Sequence, residues 1–325
     1  MKWIRRLLFL AVLAGGFLAY RALAPYQGFS GETFVEIPRG TSTNGVADKL
    51  AAAGVVRTPY DFLLARTTER RRVLQAGEYK FDHAASAIEV FDRIARGDVY
   101  AIDFVVPEGK NMFDIAALAG QLKLFPAADF LKAARNPALI HDLDPQAPTL
   151  EGYLFPNTYK LPRTTTPERL CQIMTGKFRE VWKGMKGAAD VHRTVTLASL
   201  VEKEGRQPQE RPQIAAVFAN RLRIGMKLDC DPTTIYAALL AGRYNGTIHR
   251  SDLDSEDAYN TYRHPGLPPG PIANPGQDAL EAALHPAENE ALYFVLKPDG
   301  SGTHQFSKSI EDHEKATAAY RKSQK

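Results

Sequence analysis

The stretch Val195 to Gly205, VTLASLVEKEG, sets one carboxylate among apolar residues. It reads as a helix that ends at Gly205. At about 100° per residue, Leu197, Leu200 and Val201 share one arc. Glu204 follows Leu200 by one helical turn and falls in the same arc, whereas Glu202 lies well away from it, above Ala198 and Val195. An acid aimed into an apolar environment is desolvated, which raises its pKa and keeps it protonated near neutral pH. In that state it can act as a general acid, for example toward a glycosidic oxygen. The plainer alternative is a helix-end glutamate that turns back to solvent or pairs with Arg206.

Aromatic and amide side chains elsewhere would suit a carbohydrate partner. Tyr153, Phe155, Tyr236, Tyr244, Tyr259 and Tyr262 have faces on which sugars stack, and Asn157, Asn245 and Asn260 have amides for hydroxyl or acetamido groups. For any single tyrosine, core packing is the competing role. Several other chemistries are excluded. The chain has no GxxxxGK[ST], GxSxG, HExxH, SxxK or CxxC pattern. Its histidines, among them His264, His285, His304 and His313, are not paired at metal-ligand spacing. Cys171 and Cys230 are too few for a disulfide framework or a four-cysteine zinc site, and spacing does not say whether they pair.

The elements that would carry these residues come after a basic, apolar start. Lys2, Arg5 and Arg6 precede an apolar run from Leu7 to Tyr20, and Arg21 interrupts before Ala22-Leu23-Ala24-Pro25. Residues 1–25 read as a signal anchor, with Trp3 and Tyr20 at the interfaces and Arg21 snorkelling. A cleaved signal peptide would use the Ala-x-Ala site, but Pro25 directly after it argues against cleavage. A buried soluble helix is disfavoured by the flanking charges. Under either export reading the rest of the chain lies outside the cytoplasm, which disfavours cytosolic cofactors such as ATP.

Residues 26–33 read as a linker. Phe34 to Gly40 then predicts a strand and a Pro-x-Gly turn, leading into an amphipathic helix over 46–53. The pattern returns in Phe104 to Gly109 with a helix over 112–119. Helical spacing recurs in Tyr60 to Arg66 and Ala87 to Ala95, and Gly77-Glu78-Tyr79 reads as a strand start. Arg70, Arg71 and Arg72 read as a solvated basic face. Pro126, Pro137, Pro145 and Pro148 suggest short helices and a boundary. Leu292 to Leu296 reads as a buried strand, with Gly300 and Gly302 in a turn. The 325 residues are 44% hydrophobic and 24% charged, which suits a globular chain of about two domains. A net charge of +4 does not imply a nucleic-acid partner, though it suits an anionic polymer.

Four stretches together resemble the YceG-like endolytic murein transglycosylases, a membrane-anchored group. They are Leu150 to Tyr159 (LEGYLFPNTY), Ala198 to Glu204 (ASLVEKE), Val217 to Thr233 and Tyr259 to Ile272. The resemblance covers nearly the whole chain. It implies an α+β fold with an anchor at 1–25, a linker at 26–33, a LysM-like α/β region at 34–148 and a larger mixed catalytic domain at 149–325. It implies a lyase that cuts peptidoglycan within glycan strands and leaves 1,6-anhydro-muramic ends, without metal or cofactor. The catalytic residue carried over is Glu204, and Glu151, Tyr153, Asp231, Asn260 and Tyr262 are carried over as substrate-binding or supporting residues. Asn157 departs from the aspartate of many relatives. The implied setting is the inner membrane, single-pass, with the N-terminus cytoplasmic and the catalytic domain periplasmic. The implied partners are glycan strands, the membrane and peptidoglycan synthases, not nucleic acid. A hydrolytic muramidase and a noncatalytic glycan-binding scaffold are the competing functions.

Overall fold

The computed structural model describes residues 2–69, 71–185 and 190–324. Met1 of the expected anchor and Arg70 of the expected basic run lie outside the described residues. The chain divides by packing into two compact units. The first comprises Met1–Ile102 with Lys160–Arg163, and the second Asp103–Tyr159 with Thr164–Lys325. This division falls earlier than the expected boundary at 148/149, so residues 103–148 pack with the C-terminal part of the chain.

In the first unit, α1 (Lys2–Leu23) has 22 residues and is long and apolar enough to cross a membrane. At about 1.5 Å per residue it spans roughly the thickness of a bilayer core. It is longer than the Leu7–Tyr20 run because Ile4 and Ala22-Leu23 extend the helix. Then β1 (Thr33–Ile37) turns through Pro38-Arg39-Gly40 into α2 (Thr43–Ala52). Gly40 supplies the left-handed φ of +82° that this turn needs, and the Ser42 hydroxyl caps α2 by accepting from Gly45 N. Next come α3 (Pro59–Arg66), β2 (Gly77–Phe81) and α4 (Ala87–Arg96). The strands pair antiparallel with Val35 opposite Tyr79. Val35, Ile37, Leu50, Phe62, Tyr79 and Phe91 make the core. Arg72 is held by Glu69 and Asp92, at 3.0 and 2.8 Å, so it is part of a surface ion-pair set.

The second unit repeats the strand–turn–helix entry. After β3 (Ile102–Val106) and the turn at Gly109 (φ +73°) comes α5 (Met112–Gln121), capped by Asn111. Then come α6 (Ala127–Ala134), β4 (Asn157–Leu161), α7 (Pro167–Gly184) and α8 (Val191–Glu204). After them come α9 (Arg211–Arg223), α10 (Asp231–Leu240), α11 (Arg250–Leu253) and α12 (Gln277–Leu284). The chain ends with a hairpin of β5 (Tyr293–Leu296) and β6 (His304–Ser307), then α13 (Ile310–Ser323). Among the described residues, β3 with β4 and β5 with β6 each form a two-stranded sheet, like β1 with β2, so the fold is mixed α+β with small sheets. β5 is half-buried rather than buried as expected, and its Tyr293 and Phe294 line a cleft.

Helix α8 packs against α9 and α12, and Leu197, Leu200, Val201, Ile214 and Phe218 form the core between them. Its last turn does not end on a left-handed glycine, since Gly205 has φ −80°. The glycine is needed for space: a Cβ there would meet Arg211 Cγ and Val201 O at 2.9 Å.

Candidate active site

Glu204 is the last residue of α8 and opens onto a cleft of about 410 Å³ within the second unit. Phe218 and Arg221 of α9 and the Leu228–Asp231 segment form one wall. Tyr262, Tyr293 and Phe294 of β5, and Ile310 and His313 of α13 form the rest. The Cys230 thiol donates to Glu204 Oε1 at 3.4 Å. Burial raises the pKa of Glu204, and the neighbouring Asp231 raises it further, whereas Cys230, His304 and Lys203 oppose the shift. The negative end of α8 acts in the same direction as burial. The carboxyl is therefore held toward its protonated form at the edge of an open cleft, as a general acid requires. It neither curls to solvent nor pairs with Arg206.

The loop before α10 is tightly built. Asp229 takes a left-handed φ of +49°. Cys230 N donates to Thr261 Oγ1 at 3.0 Å, and Thr233 Oγ1 donates to Cys230 O at 2.6 Å. Arg221 ties the same loop to β5. Its Nε donates to Leu292 O at 2.6 Å and its Nη1 to Leu228 O at 2.9 Å, while the guanidinium lies 3.5 Å from Asp229 and over the Tyr293 ring.

Asp231 and Tyr262 line the cleft with Glu204, so three of the sequence-predicted site residues are brought together. Asp231 stands in the first turn of α10, where the helix dipole favours a negative charge. Tyr262 hydroxyl donates to its Oδ1 at 2.6 Å.

The other three sit elsewhere. Glu151 is fully buried, accepting from Met112 N at 2.9 Å and from Asn274 Nδ2 at 2.7 Å. Tyr153 is buried against Phe178 and donates to Asp144. Asn260 is buried, and its amide donates to the carbonyls of Asp252, Leu253 and Ser255. None of them lines the cleft. Glu151 and Asn260 organise backbone, and Asn274 does so most extensively. Its Oδ1 accepts from Gly152 N and Leu154 N, both at 2.9 Å, which joins the Leu150–Pro156 stretch to the loop before α12.

Of the aromatic and amide candidates, Tyr236 and Phe155 are buried, Tyr259 packs on Tyr236, and Asn157 lies at the exposed start of β4. Sequence reasoning missed Arg221, Asp229, Tyr293 and His313. Arg221 lies inside the Val217–Thr233 stretch, but nothing local marks it as facing a cleft. Glu202 does not line the cleft either. It bonds Arg211 at 2.8 Å and accepts from Gly276 N at 3.0 Å, buried at the junction of α8, α9 and α12. Cys171 and Cys230 are both free and buried. Among the described residues no group of three or more His, Cys, Asp or Glu is placed to hold a metal ion. A larger cavity of about 630 Å³ beside α6 and α7 contains Asp129, Lys132 and Glu168 but none of the sequence-predicted site residues.

A profile of the YceG-like family matches residues 35–319. An endolytic murein transglycosylase of Bacillus subtilis is 31% identical over 332 aligned residues, which span 95% of this chain and 91% of that protein. An endolytic murein transglycosylase of Streptococcus pneumoniae is 29% identical over 353 residues, spanning 97% of this chain and 64% of that protein. The 2.6 Å crystal structure of a yceG-like protein from Listeria monocytogenes superposes with a TM-score of 0.55 at 31% identity, covering 87% of this chain and 98% of that one.

Proposed function

Because the chain belongs to the YceG-like family, we propose that it is a peptidoglycan lytic transglycosylase with Glu204 as its catalytic acid and base. The observation that carries this reading is Glu204 itself, a carboxyl held toward its protonated form by burial where α8 meets the cleft. Glu204 protonates the oxygen between N-acetylmuramic acid and N-acetylglucosamine within a glycan strand. The bond to muramic C1 breaks, leaving an oxocarbenium-like centre that the substrate's acetamido group stabilises. The glutamate, now ionised, takes the proton of the muramic C6 hydroxyl, whose oxygen closes onto C1 to give a 1,6-anhydro end. The C6 hydroxyl belongs to the same sugar, so its effective concentration far exceeds that of water. Tyr262 and Tyr293 offer faces for sugar rings. Glu151 and Asn260 support the site through the backbone they organise, and Tyr153 through its packing on Phe178 and its bond to Asp144.

A hydrolytic muramidase is the second reading, favoured by Asp229 and Asp231 in the same cleft. Either acid would have to activate water from the opposite face of the sugar, roughly 6.5–9.5 Å from the acid in an inverting enzyme. Glu151, the acid of the Leu150–Tyr159 stretch, is fully buried and hydrogen-bonded to Met112 N and Asn274 Nδ2, away from the cleft. Digestion of uncrosslinked glycan in H₂¹⁸O, with mass spectrometry of the muropeptides, decides between them. Anhydro ends without ¹⁸O are expected. ¹⁸O at new muramic reducing ends with no anhydro product would replace the transglycosylase with a muramidase, and no cleavage at all would leave a glycan-binding scaffold.

The Lys2, Arg5 and Arg6 cluster supports a cytoplasmic N-terminus, a single span of the inner membrane and a periplasmic catalytic unit. The β1–α2–α3–β2 order with antiparallel strands supports a LysM-like glycan-binding role for the first unit. Synthases that extend glycan strands are the fitting partners, since their product is this substrate.

A further inference from the structure

We propose that Cys230 is a positioning residue for Glu204, its S–H donating to Oε1 and leaving Oε2 as the oxygen that carries the transferred proton. The proposal deepens the role given above to Glu204 and rests on it. The thiol lies 3.4 Å from Oε1, and among the described residues no other side chain or backbone group hydrogen-bonds that carboxyl. Cys230 is 2% exposed, and its backbone is held from both sides. Its N–H is engaged by Thr261 and its carbonyl by Thr233, while Asp229 before it is in a left-handed turn and Asp231 after it opens α10. The sulfur therefore cannot drift from the carboxyl without moving the start of a helix. This also gives the Tyr259–Tyr262 stretch a task at the catalytic end of α8: Thr261 fixes Cys230, and Cys230 fixes Glu204.

Burial and the Glu204 carboxylate both push the Cys230 pKa up, so sulfur stays a protonated donor rather than a competing anion. A thiol is a weak donor, which matters for a group that must both give and receive a proton. A strong donor on Oε1 would hold Glu204 as the carboxylate and weaken it as an acid. With none, the carboxyl rotates and its proton is shared between both oxygens. The other charged and titratable groups around Glu204 are Lys203 on its own helix, Asp231 on α10 and His304 on β6. Across the cleft are the paired Arg221 and Asp229, with His313 on α13 and Tyr262. None of these is covalently altered by a change at Cys230, so a shift in the acid's titration reports the thiol.

The test uses the full-length protein with Cys230→Ser, Cys230→Ala, Cys230→Val and Glu204→Gln, each checked for normal thermal unfolding. Steady-state kinetics are measured across pH. Loss of the donor in the Ala and Val variants is expected to lower kcat about three- to tenfold with little change in KM. It should also move the alkaline limb of the profile to higher pH, because the carboxylate has lost a stabilising hydrogen bond. Serine, a stronger donor, is expected to restore kcat to within about twofold and to move that limb to lower pH. A limb that stays in place in all three variants, or a serine variant no better than valine, overturns the positioning role. A second readout is independent of activity. In a Cys171→Ala background, the Raman S–H stretch of Cys230 is expected to shift on Glu204→Gln, and an unmoved band overturns the proposal even if a Cys230 variant folds poorly. If Glu204→Gln itself stays active, the reading of Glu204 as the acid fails, which is a separate result.

Discussion

Tyr262 donates its hydroxyl to Asp231 Oδ1 at 2.6 Å, and both side chains face the cleft into which Glu204 opens. Burial and the adjacent Asp231 carboxylate raise the phenol's pKa, so the hydroxyl remains a donor across the working range. The bond aims Asp231 and leaves its second oxygen for a substrate hydroxyl or amide. Tyr262→Phe should fold normally and lower kcat/KM about three- to tenfold, the weight of one lost hydrogen bond at a partly exposed site. Asp231→Asn should weaken activity by a similar factor and still release anhydro ends. A loss beyond about 10²-fold in Asp231→Asn would make Asp231 a second catalytic carboxylate.

Glu204→Gln and Glu202→Gln should separate chemistry from stability. Removing a general acid is expected to cost about 10²–10⁴-fold or more in kcat, and the neutral amide relieves the burial penalty, so Glu204→Gln should unfold no earlier than the parent. Glu202 is tied to Arg211 and Gly276 N, with Arg211 only 6% exposed. Glu202→Gln keeps an acceptor for Gly276 but leaves Arg211 with Glu108 at 3.4 Å and Asp278 at 3.8 Å. It should cost roughly 1–3 kcal/mol of stability, with kcat reduced far less than in Glu204→Gln. Thermal unfolding beside kinetics checks both, and an inactive but fully stable Glu202→Gln would move the catalytic role to Glu202.

The depth of Glu204 was legible because the signal is local: an i, i+3, i+4, i+7 arc needs only the helix that carries it. The two strand–turn–helix entries were legible for the same reason, since Pro-x-Gly and a capping Ser42 or Asn111 act within a few residues. Glu202 lies off that arc as its spacing indicates, but its partners Arg211 and Gly276 belong to other elements, which a single-helix wheel cannot show. The partners of Glu151 were equally hidden. They come from Met112 and Asn274, in opposite directions along the chain, so of the two roles expected for Glu151, binding or support, the structure shows the ties that support would use. Tyr293 and His313 reach the cleft because β5 packs on α9 and α13 packs on the β5–β6 hairpin, and no local periodicity encodes that return.

Glu151 also sets a pH dependence. Burial pushes its carboxyl up from 4.5 to about 8, against the hydrogen bond that it accepts from Met112 N. The folded state therefore keeps a proton that the unfolded chain releases near 4.5. The stability this contributes is full below about pH 4.5, declines as pH rises and is gone once pH passes about 8. The slope from this one group is at most about 1.4 kcal/mol per pH unit. Glu151→Gln, which keeps the acceptor for Met112 N and cannot ionise, should flatten the decline between pH 5 and about 8 in denaturant titrations. An equal slope in parent and variant would assign the decline to other groups.

The last prediction concerns the fate of α1. Arg21 is not a loose flanking charge. Its Nε and Nη2 both reach the Asp61 carboxylate at 2.7 Å, and Nη2 also donates to Thr58 Oγ1 at 3.1 Å, where Asp61 caps α3. Asp61 is only 5% exposed and Ala22 7% exposed, so the end of α1 is packed into the first unit as part of its core edge. Arg57 adds to the junction by lying over the rings of Tyr20 and Tyr26. Cleavage after Ala24 would strip Asp61 of its cation and leave a buried carboxylate with only Thr58 to bond, a costly arrangement that an exported leader has no reason to build. The mature protein should therefore retain α1 and sediment with membranes, and N-terminal sequencing should find no chain starting at Pro25. Arg21→Ala should lower the unfolding temperature of the detergent-solubilised protein, and Asp61→Asn should lower it less, since the amide leaves no unpaired buried charge. A soluble mature chain beginning at Pro25 with unchanged thermal stability would mean that the Arg21–Asp61 pair has no part in the folded protein.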